Sequence, residues 1–361
     1  VKVDESRARS MIDRDAERIW PSLNAKRFLY ELLSSLDQLM RAADHDFSAK
    51  ECLLLRKPSA PRVSDEEWTS SDVALVDFAD SLINGRNLMM FSHIVVDEAQ
   101  DLSPMEIEML KRKSTTGSMT LVGDIAQSTG RHQKESWNST VDLLEEAFTT
   151  NLVSLRFGYR VPGEVHELVE PLLKIVAPKL VPPVPIRFSG SRPILIKASA
   201  GEVAGEACNA LVKGPQPDVP VAVICPDSRI DEVAERFRLA GVEFVDGRSE
   251  VLEKRVNVLS CREAKGLEFE RVIVVDPDAI VSQGDDGARL LYIALTRTTR
   301  DLTVIYTGTP IPFPSETEIG EATVEDYLPG STIRASSAES ADIKERILKL
   351  LDSLASSGSS D

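Results

Sequence analysis

Ile94-Val95-Val96-Asp97-Glu98-Ala99-Gln100-Asp101 is a short apolar run that passes directly into acidic side chains. Such a run predicts a buried strand that delivers Asp97 to the carboxyl edge of a parallel sheet, where open α/β folds bind their ligands. Adjacent carboxylates at this edge suit Mg²⁺ coordination and activation of water. For Asp-Glu alone, an acidic turn that caps the following helix is the alternative interpretation.

Short apolar runs alternate with helical stretches along most of the remaining chain. Residues 119–122 predict a second strand, and a helix between the two strands opens at Ser103-Pro104, where Ser is a good N-cap and Pro suits the first turn. Further strands are predicted at 194–197, 221–225, 256–260, 272–275 and 302–306, with helices at about 201–213, 228–241 and 287–299. The pattern predicts an α/β fold with a doubly wound parallel sheet.

Composition and periodicity divide the chain into four predicted regions. Residues 1–60 form a helical segment, an insertion or arm, because apolar side chains recur at helical spacing through 8–56. Residues 61–176, with a helix at 71–82, form a first α/β unit, and residues 177–318 form a second one that opens on a Pro-rich stretch. Residues 319–361 form an acidic, Ser-rich tail with one short helix at 341–354.

The overall composition is that of a globular protein, with 42% hydrophobic and 28% charged residues and no apolar run long enough to span a membrane. Four widely spaced cysteines indicate a reducing compartment, so we expect a cytoplasmic protein. The net charge of −16 lowers the expectation of tight nucleic-acid binding, which usually needs a basic face. Because Val1 opens the chain without Met or a signal-like core, we expect an internal piece of a longer protein.

Four more segments resemble, together with residues 94–101, motifs II to VI of the UvrD/Rep-like superfamily 1 helicases. They occur in family order and read Leu-Val-Gly-Asp-Ile-Ala-Gln at 121–127, Leu-Arg-Phe-Gly-Tyr-Arg at 155–160, Val-Leu-Ser-Cys-Arg-Glu-Ala-Lys-Gly-Leu-Glu-Phe at 258–269 and Leu-Tyr-Ile-Ala-Leu-Thr-Arg at 291–297. The resemblance implies two RecA-like P-loop NTPase domains, the first one incomplete, behind an N-terminal helical segment. Residues 61–176 would be the C-terminal part of the first domain.

The same resemblance implies hydrolysis of ATP or GTP with Mg²⁺ and a role for each matching residue. Asp97 would bind the metal, Glu98 would be the general base, and Arg297 would be an arginine finger, which can contribute roughly 10³–10⁵ in rate. The implied catalytic residues are Asp97, Glu98, Gln127, Arg160 and Arg297, and the implied nucleotide-binding residues are Gly123, Asp124, Tyr159, Lys265, Gly266 and Glu268. Such a site forms only when the two lobes close.

The phosphate-binding loop of this family is absent from the sequence. Such a loop needs Gly-x-x-x-x-Gly-Lys-Ser/Thr, because backbone N–H groups and a lysine surround the phosphates. The dipeptide Gly-Lys occurs nowhere in the 361 residues. We therefore expect this chain by itself to bind ATP weakly and to hydrolyse it negligibly.

Departures from the family pattern fall on the nucleic-acid side of the motor. Residues 128–133 lack the aromatic side chains that stack on single-stranded DNA in UvrD-like helicases, and Arg262-Glu263 replaces His-Ser. These departures and the acidic charge resemble the HelD-type branch, whose members bind bacterial RNA polymerase and dislodge it from nucleic acid. RNA polymerase is then the expected partner, DNA or RNA a further one, and the chain a monomer. An ordinary DNA helicase or translocase and a non-hydrolysing interaction module are the alternatives.

Overall fold

The computed structural model describes residues 5–19, 23–44, 46–58, 60–85, 90–130, 132–145, 147–213, 219–248 and 256–311. The predicted tail, with its helix at 341–354, lies outside these residues. Within them, no helix is both long and apolar enough to cross a membrane.

The predicted helical segment is a series of short helices rather than one long one. Asn24, Ser35 and Ser48 accept hydrogen bonds from backbone N–H groups three residues ahead, so each starts a new helix. Their apolar faces pack in two small clusters with the next helix, which was predicted at 71–82. The helices are α1 (Glu5–Ile19), α2 (Ala25–Ser34), α3 (Leu36–Ala43), α4 (Ala49–Leu55) and α5 (Ser70–Asn84).

A two-stranded parallel sheet follows, formed by β1 (Ile94–Val96) and β2 (Met119–Leu121). The connecting helix α6 (Pro104–Lys113) begins as predicted, with Ser103 as its N-cap in a capping box. Helix α7 (Asn138–Glu145) packs beside α6, and a small core centred on Ile107 joins both helices to β2. The carboxyl ends of β1 and β2 therefore lie next to each other.

The larger sheet contains six parallel strands in the order β5-β10-β9-β6-β8-β7. Strands β6 and β8 are buried along their whole length, as near-continuous apolar runs predict for a sheet covered on both faces. The strands are β5 (Ile194–Lys197), β6 (Val221–Cys225), β7 (Val245–Asp246), β8 (Val256–Ser260), β9 (Phe269–Val275) and β10 (Thr298–Tyr306).

Helices cover both faces of this sheet, which confirms the predicted α/β architecture with a parallel sheet. On one face lie α9 (Val203–Lys213) and α10 (Ile230–Leu239), and on the other lie α11 (Pro277–Val281) and α12 (Gly287–Leu295). Alternate residues of a strand pack in the two cores on opposite faces of the sheet. Val223 packs with α9 and α10, and Ile224 packs on the face of α11 and α12.

A short connecting region lies between the two sheets in sequence. It contains β3 (Phe157–Gly158) and β4 (Val184–Pro185), which pair in parallel, and helix α8 (Gly163–Val176) between them. Helix α8 lies before the boundary predicted at 176, yet its buried side chains share a core with α12 and the six-stranded sheet. This helix therefore packs with the second sheet, while the assignment of domains remains a prediction.

Candidate functional site

Asp97 and Glu98 lie at the carboxyl end of β1, as the sequence predicts. Asp97 is exposed, and its Oδ1 accepts a hydrogen bond of 2.8 Å from the backbone N–H of Glu98. Glu98 adopts a left-handed conformation with φ of 53°, which is uncommon for a residue with a side chain. Such strain persists only where the surrounding structure fixes it, and it clusters at functional sites.

Gln100 holds the carboxylate of Glu98 through a side-chain hydrogen bond. Its side chain is fully buried, and its Nε2 donates to Glu98 Oε2 over 2.6 Å. Its Oε1 accepts from the backbone N–H of Asp124 over 3.1 Å. Gly123 lies against this amide, and a Cβ atom there would collide with Gln100 Oε1, so Gly123 allows the two loops to approach closely.

Asp124 and Gln127 extend the network towards the second sheet. Asp124 Oδ2 accepts from Gln127 Nε2 over 2.8 Å, while its Oδ1 accepts from the backbone N–H of Ala126. The free oxygen of the same amide, Gln127 Oε1, accepts from Nη2 of Arg297 over 2.7 Å. The nitrogen and the oxygen of the Gln127 amide are thus both hydrogen-bonded. The bond to Arg297 joins the part of the chain around β1 and β2, here called the first lobe, to the part around the six-stranded sheet, the second lobe.

Arg297 follows α12 and is only 1% exposed. Its Nε donates to the carbonyl of Ile293 and its Nη1 to that of Leu267, so protein acceptors surround the guanidinium. Burial lowers the pKa of Arg297, and the neighbouring charge of Arg160 lowers it further, whereas Glu98 raises it. Through its hydrogen bond to Leu267, the buried guanidinium also lies close to the next residue in the chain, Glu268.

Arg160 forms a 2.7 Å ion pair with Glu268, in which both side chains are about two-fifths exposed. The pair joins the segment of β3 to the segment that precedes β9. Tyr159, beside Arg160, is exposed. Arg160 and Glu268 therefore lie together at the surface near Arg297, as two members of the predicted set.

Lys265 contacts Asp101 and Gln127 directly, and Gly266 lies close to Glu98. Nζ of Lys265 lies 2.6 Å from Oδ2 of Asp101 and donates to the carbonyl of Gln127 over 2.7 Å. Gly266 has φ of 75°, and a Cβ atom there would lie 3.8 Å from Glu98 Oε1. Here Lys265 links the two lobes, whereas the resemblance implies that it binds a nucleotide.

Polar contacts that the sequence did not single out complete the junction. Nη1 of Arg289 donates to the carbonyl of Ile125 over 2.6 Å, and Asp286 Oδ2 accepts from the backbone N–H of Gly130 over 2.9 Å. Arg289 is a lone cation within the apolar run of α12, and it is buried. That interruption is the one sequence signal that could have identified it, because charged residues are rarely buried unless paired.

Lys134 is a second buried cation that sequence reasoning missed. Its side chain is 9% exposed, and burial lowers its pKa to about 8, against the raising effects of Asp101 and Glu106. Its Nζ donates to the carbonyl of Ala99 over 3.1 Å.

This pKa predicts a pH-dependent stability difference between the wild-type chain and a Lys134→Met variant. Below pH 8 the lysine is charged in both folded and unfolded chains, and the full desolvation cost is present. As pH rises towards 10.5, the unfolded chain binds more protons, so the wild type gains about 2–3 kcal/mol relative to the variant. Urea unfolding of both proteins at several pH values measures this gain, and a constant difference would contradict it.

The donor set at this edge fits Mg²⁺ with a nucleotide better than a self-contained metal cage. Among the described residues, no group of three or more His, Cys, Asp or Glu side chains is placed to hold a metal ion. Mg²⁺ commonly takes one or two carboxylates and completes its shell with phosphate and water oxygens. Asp97 supplies one such carboxylate, and Glu98 lies next to it as the predicted general base.

Comparison with known proteins relates part of the six-stranded sheet to helicases. Residues 255–305, which span β8 to most of β10, match the family model of the UvrD-like helicase C-terminal domain. A solved structure, the C-terminal domain of a possible DNA helicase from Lactobacillus plantarum WCFS1, is 19% identical with a TM-score of 0.34, covering 43% of this chain and 91% of that one. No curated protein matches the chain.

The family match bears on part of the site. The matched residues include Lys265, Gly266, Glu268 and Arg297, which form one side of the junction. Residues 255–305 are thus similar to the C-terminal domain of UvrD-like helicases. The roles of the individual residues, and the first lobe as an incomplete RecA-like domain, remain predictions.

Proposed function

We propose that this chain is the C-terminal motor part of a superfamily 1 helicase-like ATPase, and that one Mg²⁺-nucleotide site forms where its two sheets meet. The observation that carries this proposal is the 2.7 Å hydrogen bond from Arg297 to Gln127, which crosses the lobes beside Glu98. Phosphoryl transfer is catalysed mostly by positioning and by neutralising charge, and this junction gathers groups suited to both tasks.

Each residue then has a defined task in the proposed site. Bound ATP with Mg²⁺ would supply the phosphoryl group and part of the charge neutralisation. Asp97 would hold the metal, Glu98 would accept the proton of the attacking water, and Arg160 and Arg297 would stabilise the negative charge. Gln127 Oε1 accepts a hydrogen bond from Nη2 of Arg297. A bound γ-phosphate would compete for that guanidinium, so Gln127 would couple nucleotide binding to the contact between the two lobes.

We further propose a HelD-type role, in which the ATPase remodels or releases RNA polymerase. The net charge of −16 supports a protein partner over a nucleic-acid track. The loop after Gln127 also supports this choice, because residues 128–133 carry none of the aromatic side chains on which single-stranded DNA stacks in UvrD-like helicases. DNA or RNA would then contact the assembly mainly through the polymerase.

An ATP-dependent DNA helicase or single-stranded DNA translocase is the second candidate. It is favoured by the family model itself, which describes helicases. The two candidates differ in what stimulates hydrolysis, since a translocase is activated by the strand that it tracks.

The deciding experiment measures ATP hydrolysis by the full-length protein with single-stranded DNA and with RNA polymerase, each added separately. A Glu98→Ala variant controls for contaminating ATPases. The HelD-type role predicts that the polymerase co-purifies and that DNA has little effect. Many-fold stimulation by DNA alone would instead support the DNA helicase or translocase. Hydrolysis no faster than that of the Glu98→Ala variant under every condition would indicate a non-hydrolysing interaction module.

The 361-residue chain by itself is expected to hydrolyse ATP no faster than its Glu98→Ala variant. Without a Gly-x-x-x-x-Gly-Lys-Ser/Thr loop, no backbone nest surrounds the β- and γ-phosphates. A phosphate-release assay and titration with a fluorescent ATP analogue check this expectation. Turnover at the rate of ordinary ATPases, about 1 s⁻¹ or more, would contradict it.

A further inference from the structure

We propose that Lys134 is a positioning residue, whose ammonium group holds the turn that carries Glu98 against the loop that carries Gln127. This inference rests on the proposed function, since it assigns Lys134 a part in the same site. Lys134 lies outside every segment that resembles a helicase motif, and it makes no contact with a group that would react.

Three hydrogen bonds tie the two loops together at this point. Nζ of Lys134 donates to the carbonyl of Ala99, the residue that follows Glu98, over 3.1 Å. Its backbone N–H donates to Ser128 Oγ over 2.9 Å, and the same hydroxyl donates to the carbonyl of Gln100 over 3.2 Å. Lys134 is therefore linked to the turn after β1 twice: directly through its ammonium group, and indirectly through Ser128.

The three hydrogen bonds are costly to lose because the groups that form them are buried. Ala99, Gln100 and Ser128 are fully buried, so their polar groups have no access to water that could replace a lost partner. The turn also holds Glu98 at positive φ, a conformation that needs support from its surroundings. Removing the ammonium group would leave the buried carbonyl of Ala99 with the longer, 3.3 Å hydrogen bond from the backbone N–H of Leu102 and would free the turn to relax.

Stability alone does not explain a lysine at this position. Desolvation disfavours its charged form, and the nearby carboxylates of Asp101 and Glu106 offset that effect only in part. A side chain such as methionine would fill similar space without burying a charge. Buried charges that add little stability are often retained at functional sites, where placement of neighbouring groups matters more.

The first test measures positioning itself, in the 361-residue chain and without a nucleotide. Amide hydrogen exchange is compared between wild type, Lys134→Met and a matched control, Lys111→Met. Nζ of Lys111 also donates to a backbone carbonyl, that of Leu143, but on the far side of α6. We expect Lys134→Met to speed exchange of the amides of Ala99, Asp101 and Thr129, and Lys111→Met to leave them unchanged.

The second test measures the consequence for turnover in the full-length protein. Misplacement of a catalytic group can cost about 10²-fold in rate, so Lys134→Met should lower kcat by that order while KM stays within about twofold of wild type. Ser128→Ala removes the second link and should act in the same direction. It also serves as the alternative variant if Lys134→Met does not fold.

The outcomes separate this inference from the proposed function. Unchanged exchange of the amides of Ala99, Asp101 and Thr129 in both Lys134→Met and Ser128→Ala would overturn the positioning role, whatever the ATPase shows. Faster exchange with an unchanged kcat would also overturn it, because the turn would then not need to be held. Absence of ATPase activity in the wild type would instead refute the proposed function, and the exchange data would still decide whether Lys134 holds the turn.

Discussion

Replacing Arg297 with lysine is expected to lower ATP turnover of the full-length protein by about 10³-fold or more. Lysine keeps a positive charge but loses the fork that donates to Gln127, Ile293 and Leu267 simultaneously. Because the guanidinium is the group that crosses the lobes, its loss should affect the chemical step more than nucleotide binding. Single-turnover hydrolysis measures the chemical step separately from product release.

Arg300→Lys is the matched control for this variant. Arg300 lies three residues further along, on β10, and pairs at the surface with Asp301 and Glu270. Exposed pairs of this kind contribute about 0–1 kcal/mol, so turnover should stay near the wild-type value. Circular dichroism and thermal unfolding establish that the Arg297→Lys variant is folded. A folded variant that retains turnover within about threefold of wild type would refute the arginine-finger role.

Replacing Glu98 with glutamine is expected to lower turnover by about 10²–10⁴-fold. Glutamine keeps the shape of the side chain, and its amide oxygen can still accept from Nε2 of Gln100. The substitution therefore removes the basic oxygen while it preserves the local geometry. Nucleotide affinity should remain close to that of the wild type, because the general base acts on water and not on the nucleotide.

Steady-state kinetics and nucleotide titration together check this expectation. Glu170→Gln, on the exposed side of α8 and paired with Lys174, is the control and should change neither quantity. An increase in KM with an unchanged kcat would show that Glu98 contributes to binding only, and the assignment as general base would be wrong.

Sequence reasoning recovered best those strands that read as short, mostly apolar runs, whether they are buried, as β6 and β8 are, or largely exposed, as β5 is. The predicted bounds of β5, β6 and β8 agree with the structure, because each is a compact apolar run with clear breaks on either side. The start of β9 was missed because Glu270 and Arg271 interrupt its apolar pattern, although Arg271 is buried and donates to the carbonyl of Ala210. The two-residue strands β3, β4 and β7 carry no periodic signal at all.

The sequence could suggest which residues belong to the candidate site, but not which of them contact one another. The resemblance to helicase motifs singled out Glu98, Gln127 and Arg297; Gln127 and Arg297 are hydrogen-bonded to each other, and the roles of all three stay predictions. The sequence could not show that Gln100 bonds Glu98 or that Lys265 reaches Asp101, because such contacts depend on rotamers and on how two lobes pack. Local patterns record neighbours along the chain, whereas these pairs form only in three dimensions.

The measurement that tests the shared site most directly is a double-mutant cycle between Gln127 and Arg297 in single-turnover ATP hydrolysis by the full-length protein. The two side chains lie 2.7 Å apart but come from different sheets. If they act as one unit, the Gln127→Ala/Arg297→Lys double variant should be no slower than Arg297→Lys alone. If the two losses in rate simply multiply, the residues work independently, and the account of one nucleotide site between the lobes is contradicted.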